Sequence, residues 1–245
     1  MTKLYSELAQ VYHAMYQSIF DYEKEFQWYD GLLRKYSRQS ILEIGCGTGN
    51  LAPFFLKAGY EYAGLDLFAE MLQIAKQNHP QATFVQGDMR DFHLPRTFDS
   101  VIITGRSLCY MTTNKDVMSA LQAIYRTLQE KGLLIFDSFK ADEILPNLQK
   151  ESVQEVKSGD TKYRRVNRTS LNLETGWTWN WEAEYHIEKK GEEKRIIKDQ
   201  SVLRGFTEDE LRLFLKLNRF NVLETLKGNI LTIAAQRIPA FKEYC

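Results

Sequence analysis

The sequence predicts an α/β fold: a doubly wound, mostly parallel sheet interrupted late in the chain by an antiparallel β unit. Three observations predict it. Between Ser40 and Asp137, short runs rich in Ile, Val, Leu and Phe alternate with helical patterns, as expected of strands buried between two helical layers. The first run, residues 41–44, leads into glycines at alternate positions, Gly45, Gly47 and Gly49, before helical spacing begins at Leu51. After Phe139 the period changes. Trp177, Trp179, Trp181, Ala183, Tyr185 and Ile187 alternate with polar residues, the period-two pattern of a half-buried strand.

In chain order, Leu4, Leu8, Val11, Met15 and Ile19 recur at helical spacing, so residues 3–19 read as an amphipathic helix. A second helix covers 22–36, with Phe26, Tyr29, Leu32 and Leu33 on one stripe. Both precede the first strand, and two uses stay open: packing on the sheet, or a lid that brings Tyr12, Tyr16 and Tyr22 to a ligand. Strand 41–44 is followed by helix 51–57, with Pro53 tolerated in its first turn and Gly59 as its stop. Strand 60–67, a helix over 68–78 ended by Pro80, and strands 83–86 and 100–104 come next. The helix over 115–129 takes Asn114 as N-cap and has Gly132 just past its end. Strand 133–137 closes the alternating region.

Three long strands then follow, over 162–173, 176–188 and 194–205, the last two joined by Lys189-Lys190-Gly191-Glu192. Thr207 and Glu210 form a capping box ahead of Leu211, Phe214 and Leu215. A hairpin of 222–226 and 230–235 about Gly228-Asn229 ends the pattern. The domain reading is one body made of 1–139 and 206–245, with 140–205 as an inserted antiparallel unit over the active site.

Composition narrows the function. Lys+Arg and Asp+Glu each number 32, so the formal charge is zero, whereas proteins that grip many phosphates usually carry a basic excess. A nucleic-acid substrate is therefore not expected. No apolar run reaches membrane-spanning length and no leader pattern opens the chain, so a cytoplasmic protein without membrane attachment is expected. Cys46, Cys109 and Cys245 are far apart and odd in number, which implies no disulfide framework. His13, His79, His93 and His186 show no i, i+4 pairing and no cysteine neighbours, so no metal site is expected.

The chemistry-bearing residues cluster at the carboxyl ends of the predicted strands. A strand, a glycine turn and a helix start bring backbone N–H groups close to a ligand. The spacing G-x-G-x-G differs from the dinucleotide fingerprint G-x-G-x-x-G by an early third glycine. Asp66 lies about twenty residues on, where a carboxylate can accept from both hydroxyls of a ribose; a helix N-terminal role is its alternative. Asp88, after the third strand, can accept from an adenine amino group, with Met89 lying on the ring.

Glu43-Ile44-Gly45-Cys46-Gly47-Thr48-Gly49, Gly64-Leu65-Asp66, Gly87-Asp88-Met89 and Phe98-Asp99-Ser100-Val101 together resemble the class I S-adenosylmethionine-dependent methyltransferases. The small-molecule branch is nearest, notably sugar-amine and glycine/sarcosine N-methyltransferases. The resemblance implies a Rossmann-like, doubly wound seven-stranded sheet with an antiparallel terminal hairpin, the inserted antiparallel β-sheet and N-terminal lid helices. It implies S-adenosyl-L-methionine as cofactor, held by Tyr12, Glu43, Gly45, Cys46, Gly47, Gly49, Asp66, Leu67, Asp88, Met89, Thr104 and Gly105. Tyr12 would approach the methionyl end, and Thr104–Gly105 would supply backbone near its amino group.

The expected reaction moves a methyl group to N or O of a small-molecule acceptor, in a monomer or homodimer. Tyr12 and Tyr110 are candidate catalytic residues through their aromatic faces, with plain packing as the alternative. Two other functions stay in view: a cofactor-binding regulatory or scaffold protein that transfers nothing, and a nicotinamide enzyme, which the early glycine and Asp88 disfavour. The Trp177/Trp179/Trp181 face is expected to pack on the protein itself, partly open to substrate.

Overall fold

The structure is a computed structural model that describes residues 2–228 and 230–239. Met1, Asn229 of the expected hairpin turn, and Cys245 lie outside the described residues. The chain order is α1 (Ala9–Ile19), α2 (Tyr22–Lys35), β1 (Ser40–Ile44), α3 (Ala52–Lys57), β2 (Glu61–Asp66), α4 (Ala69–Asn78), β3 (Thr83–Gln86), β4 (Phe98–Ile103), α5 (Asn114–Thr127) and β5 (Leu128–Ser138). There follow α6 (Ala141–Ile144), β6 (Glu151–Ser158), β7 (Thr161–Leu171), β8 (Thr178–Lys189), β9 (Arg195–Arg204), α7 (Glu208–Leu217), β10 (Phe220–Lys227) and β11 (Leu231–Arg237).

Seven strands form one sheet in the order β10-β11-β5-β4-β1-β2-β3. β1 pairs parallel with both β2 and β4, while β11 runs antiparallel to β5 and β10. Side chains alternate across it. Leu42, Ile44, Val101, Ile103 and Phe136 pack with residues of α5 and α7 on one face. Ile41, Ile102, Leu133 and Ile135 pack with residues of α2, α3 and α4 on the other. The strand order reverses between β1 and β4, and such a switch point opens a crevice at the carboxyl ends of the strands.

The inserted unit has four strands, β6-β7-β8-β9, all antiparallel neighbours, where the sequence predicts three. The missed strand, β6, reads Glu-Ser-Val-Gln-Glu-Val-Lys-Ser and lies at the edge, so it needs only two valines on its pleat. The insert leaves and returns at one neck: Phe206 N–H donates to the Phe139 carbonyl at 2.9 Å and Ala141 N–H to that of Phe206 at 3.1 Å. Arg204, 1% exposed, bolts this neck to the body through Glu210 and Asn114. That contact takes the Glu210 side chain. Thr207 still accepts from Glu210 N–H, but the expected reciprocal capping bond is replaced.

Other boundaries move for local reasons. The first helix starts at Ala9 instead of residue 3, because Asp199 of the insert accepts from Thr2 Oγ1 at 2.6 Å and from Lys3 N–H at 2.6 Å, holding 3–8 as turns. Thr113, not Asn114, caps α5, in a capping box with Asp116. The chain enters β5 directly after Thr127, and Lys131, with φ of 61°, takes the left-handed position expected near Gly132. Trp177 lies outside β8 and is exposed, Trp179 is buried against Phe139 with ring centroids 5.5 Å apart, and Trp181 is half-buried. Trp179 and Trp181, two residues apart in β8, share one face, the first packed on the protein and the second only half-covered, while Trp177 stands outside the strand.

Candidate active site

A cavity of about 1260 Å³ runs from the glycine turn to the inner face of the inserted sheet. That exceeds the roughly 300–1,000 Å³ usual for one small ligand, so two can lie end to end. Its wall includes Tyr12, Glu43, Gly45, Cys46, Gly47, Asp66, Leu67, Asp88, Met89, Thr104, Gly105 and Tyr110. Gly49 is not on it. A Cβ there would stand 2.8 Å from the Phe84 ring, so this glycine serves the packing of the turn on the layer beneath.

The turn is built by close approach. Gly45, at φ 74°, admits no side chain because a Cβ would meet Ser107 Oγ at 2.2 Å, and Ser107 donates in turn to the Thr104 carbonyl at 2.7 Å. Gly47 N–H donates to Asp66 Oδ2 at 2.8 Å, and Phe68 N–H donates to Oδ1 at 3.0 Å. Each Asp66 oxygen thus has one backbone donor and keeps a lone pair for a ligand. Burial raises its carboxyl above the ordinary value, with the backbone N–H groups opposing. Beneath the turn Glu43 accepts from Tyr62 Oη at 2.5 Å and Thr104 Oγ1 at 2.8 Å. Burial lifts it to about 7, and its place is structural: it ties β1 to β2 and β4. Cys46 is buried and its thiol is raised well above the ordinary value by burial, so it is an inert filler.

Asp88 has a partner that spacing did not reveal. Arg90 Nε lies 3.0 Å from both its oxygens, and Arg90 Nη1 reaches Asp116 at 3.1 Å. The guanidinium holds the Asp88 carboxyl below its usual range.

Both N-terminal helices close over this crevice, so the lid and packing readings combine. Leu8, which precedes α1, and Val11 and Met15 of that helix pack on Ala183 and Tyr185 of β8. On the other side of α1, His13 Nδ1 lies 2.9 Å from Thr48 Oγ1, and Gln17 donates to Asn50 at 2.7 Å. Tyr12 stacks on Tyr16 with centroids 3.9 Å apart, Tyr5 meets Tyr12 edge-on at 5.5 Å, and the Tyr5 and Tyr110 hydroxyls are 2.7 Å apart. Burial raises the Tyr12 and Tyr110 phenols above their ordinary value. They stay protonated at neutral pH and offer ring faces and O–H groups instead of a base.

From α2, Glu25 enters the cavity beside Arg106 and Asp137, near enough to Glu43 beneath the glycine turn to help raise its carboxyl. Gly105 and Arg106 both take left-handed φ, 62° and 60°, which turns Arg106 N–H onto Asp137 Oδ1 at 2.8 Å. Burial and the nearby Asp137 raise Glu25 to about 7, against the pull of Arg106. Sequence reasoning missed this group. Glu25 stands four residues before Tyr29 and seven before Leu32, so it is an acid at the edge of the apolar stripe of α2, and that misplaced charge is the signal that could have found it.

Comparisons with known proteins agree with this geometry. A family model described as a methyltransferase domain matches residues 41–132. An uncharacterized methyltransferase of Bacillus mycoides is 30% identical over 146 residues, 57% of this chain and 68% of that protein. The dTDP-3-amino-3,4,6-trideoxy-alpha-D-glucopyranose N,N-dimethyltransferase of Streptomyces venezuelae is 28% identical over 171 residues, 70% of each. The crystal structure of Streptomyces venezuelae DesVI superimposes with a TM-score of 0.83 at 26% identity, covering 95% of this chain and 98% of that one. The alignments to the first two curated relatives reach 60% of those proteins' length. The chain belongs to the class I S-adenosylmethionine-dependent methyltransferases.

Proposed function

We propose that this protein transfers the methyl group of S-adenosylmethionine to an amine nitrogen of a small, sugar-sized acceptor. The observation that carries the reading is the single cavity joining the glycine turn to the inner face of the insert. The N,N-dimethyltransferase relative acts, by its name, on an amino sugar attached to dTDP, which favours nitrogen over oxygen. The bound cofactor supplies an electrophilic methyl group on a sulfonium.

This chain's residues then position, desolvate and handle a proton. The bare backbone of Gly45 and Gly47 admits close approach, and Asp66 would take the ribose hydroxyls. Met89 and Asp88 would flank the adenine, with Arg90 and the base competing for the Asp88 carboxylate. Thr104 and Gly105 would face the methionyl end. Tyr12 and Tyr110 would present rings to the cationic centre. An amine arrives protonated and must lose a proton before attack. Glu25, raised to about 7, is suited to accept it, and the inserted sheet roofs the acceptor. The balanced charge favours a small acceptor over nucleic acid, and no described helix is long and apolar enough to cross a membrane. We place the protein in the cytoplasm, as a monomer or homodimer.

The test is transfer of isotope-labelled methyl from S-adenosylmethionine to a panel of amino sugars, free and nucleotide-linked. Label on an acceptor nitrogen, with S-adenosylhomocysteine formed in equal amount, is expected. Tight cofactor binding with no transfer to any acceptor would return the protein to the scaffold reading.

A further inference from the structure

Arg165 of β7 lies on the face of the inserted sheet that looks into the cavity, and is 8% exposed. All its partners are neutral. Nη1 donates to Tyr16 Oη at 3.0 Å, Nη2 donates to Gln154 Oε1, and the rings of Tyr16 and Trp181 stand 5.6 and 5.9 Å from the guanidinium carbon. The Tyr185 hydroxyl, also neutral, faces the guanidinium, and Nε is buried without a well-aligned hydrogen bond. Among the described residues it enters no ion pair.

The other arginines at the cavity or in the core are compensated. Arg90 has Asp88 and Asp116, Arg204 has Glu210, and Arg106 lies in the field of Asp137 and Glu25. Asp199, on the same inner face as Arg165, is engaged by Thr2 Oγ1 and the backbone N–H groups of Lys3 and Leu4. Burying a cation without a counter-charge is strongly unfavourable, and the ring faces beside it offset only part of that cost. Each Nη carries a second N–H beyond its named bond, and a guanidinium is shaped to give two such donors to two oxygens of one anion. Ser201 Oγ, opposite Trp181 in the register, is a second buried and unpartnered donor on this wall.

We infer that Arg165 is the anchor for an anionic group on the acceptor, so that the amine undergoing methylation belongs to a molecule bearing phosphate or carboxylate oxygens. The inference deepens the methyltransferase reading and rests on it for the word acceptor. The geometry leaves room for the body of such a molecule. Arg165 contacts Tyr16, Tyr16 stacks on Tyr12 at 3.9 Å, and Tyr12 Oη lies 3.9 Å from the position a Cβ would take on Gly47. The anion would therefore rest two stacked rings away from the turn.

The experiment is calorimetry on the full chain saturated with S-adenosylhomocysteine, titrated with inorganic pyrophosphate and, separately, with malonate. Wild type should bind at least one of them with one-to-one stoichiometry, and which one binds tells a phosphate from a carboxylate acceptor. Arg165→Gln should weaken that binding by about tenfold or more, the loss of a charge-assisted bidentate contact. Arg165→Lys, which keeps the charge but not the fork, should fall between. Affinity for S-adenosylhomocysteine should stay the same in all three, which certifies the fold. No binding of either anion by wild type, or equal binding by wild type and Arg165→Gln, overturns the inference. Should Arg165→Gln not fold, binding by Arg165→Lys equal to wild type would overturn it. The readout involves no methyl transfer, so failure here leaves the methyltransferase reading standing, and a failed transfer assay leaves this result interpretable.

Discussion

Replacing Asp66 with Asn separates what this carboxylate does for the fold from what it does for the ligand. In the folded chain its two oxygens receive Gly47 N–H at 2.8 Å and Phe68 N–H at 3.0 Å while the residue is 8% exposed. An amide keeps one acceptor oxygen and turns an NH₂ group toward the other donor. One charge-assisted backbone bond is lost and one buried N–H is orphaned, costing about 2–3 kcal/mol, a large share of the roughly 5–15 kcal/mol a domain possesses. The same change removes one of two acceptors for the ribose diol and the charge behind both. That should weaken S-adenosylhomocysteine binding by about 10- to 100-fold, at 1.4 kcal/mol per decade. Urea unfolding of the ligand-free protein reads the first effect, and calorimetry on samples shown to be folded reads the second. A stability loss with unchanged affinity would refute the ribose assignment and leave Asp66 as a clamp on the glycine turn.

Glu25 sets a pH dependence. Its folded carboxyl is lifted to about 7 from an ordinary 4.5, so between those values the fold holds a proton that the unfolded chain has lost. Its contribution to stability is complete below 4.5 and declines as pH rises toward 7. Glu25→Gln should flatten that decline in unfolding titrations, leaving the part due to Glu43, and should depress methyl transfer most near neutral pH. An unchanged pH profile would remove Glu25 from the acceptor chemistry. Asp88→Asn breaks the clamp on Arg90 and, at a half-exposed pair, should cost about 1 kcal/mol or less. A cofactor affinity loss larger than that in calorimetry assigns Asp88 to the ligand, whereas none leaves it to Arg90. Trp179→Ala should cost about 3–5 kcal/mol of stability, since the ring is buried against Phe139. Trp181→Ala should instead change acceptor turnover at constant cofactor affinity; the opposite partition in melting and kinetic assays would contradict the assigned positions.

The sheet was legible because buried parallel strands are apolar throughout and glycines mark their turns, so the alternation of 41–137 identifies it without tertiary information. The wall of the cavity was legible in large part for the same reason: of the residues expected to hold a cofactor, most stand at or just after strand ends and line it, Tyr12 joins them from α1, and only Gly49 stands off the wall. What escaped is non-local. β6 is a polar edge strand whose register is set by β7. The start of α1 depends on Asp199, nearly two hundred residues away. Glu25, Asp137 and Arg165 come from a lid helix, a strand end and an inserted strand, and nothing in their spacing says that they face one cavity. Arg204 diverts Glu210 from its expected cap for the same kind of reason, a partner supplied by the neck of the insert.

The central claim is that one cavity holds cofactor and acceptor end to end, and a crystal structure of the ternary complex with S-adenosylhomocysteine and a methylated acceptor tests it most directly. The account predicts the adenosine between Asp66 and Met89, the acceptor nitrogen facing the glycine turn near Tyr12 and Glu25, and the acceptor body under Trp181. An acceptor bound outside this cavity, or on the outer face of the inserted sheet, would contradict it.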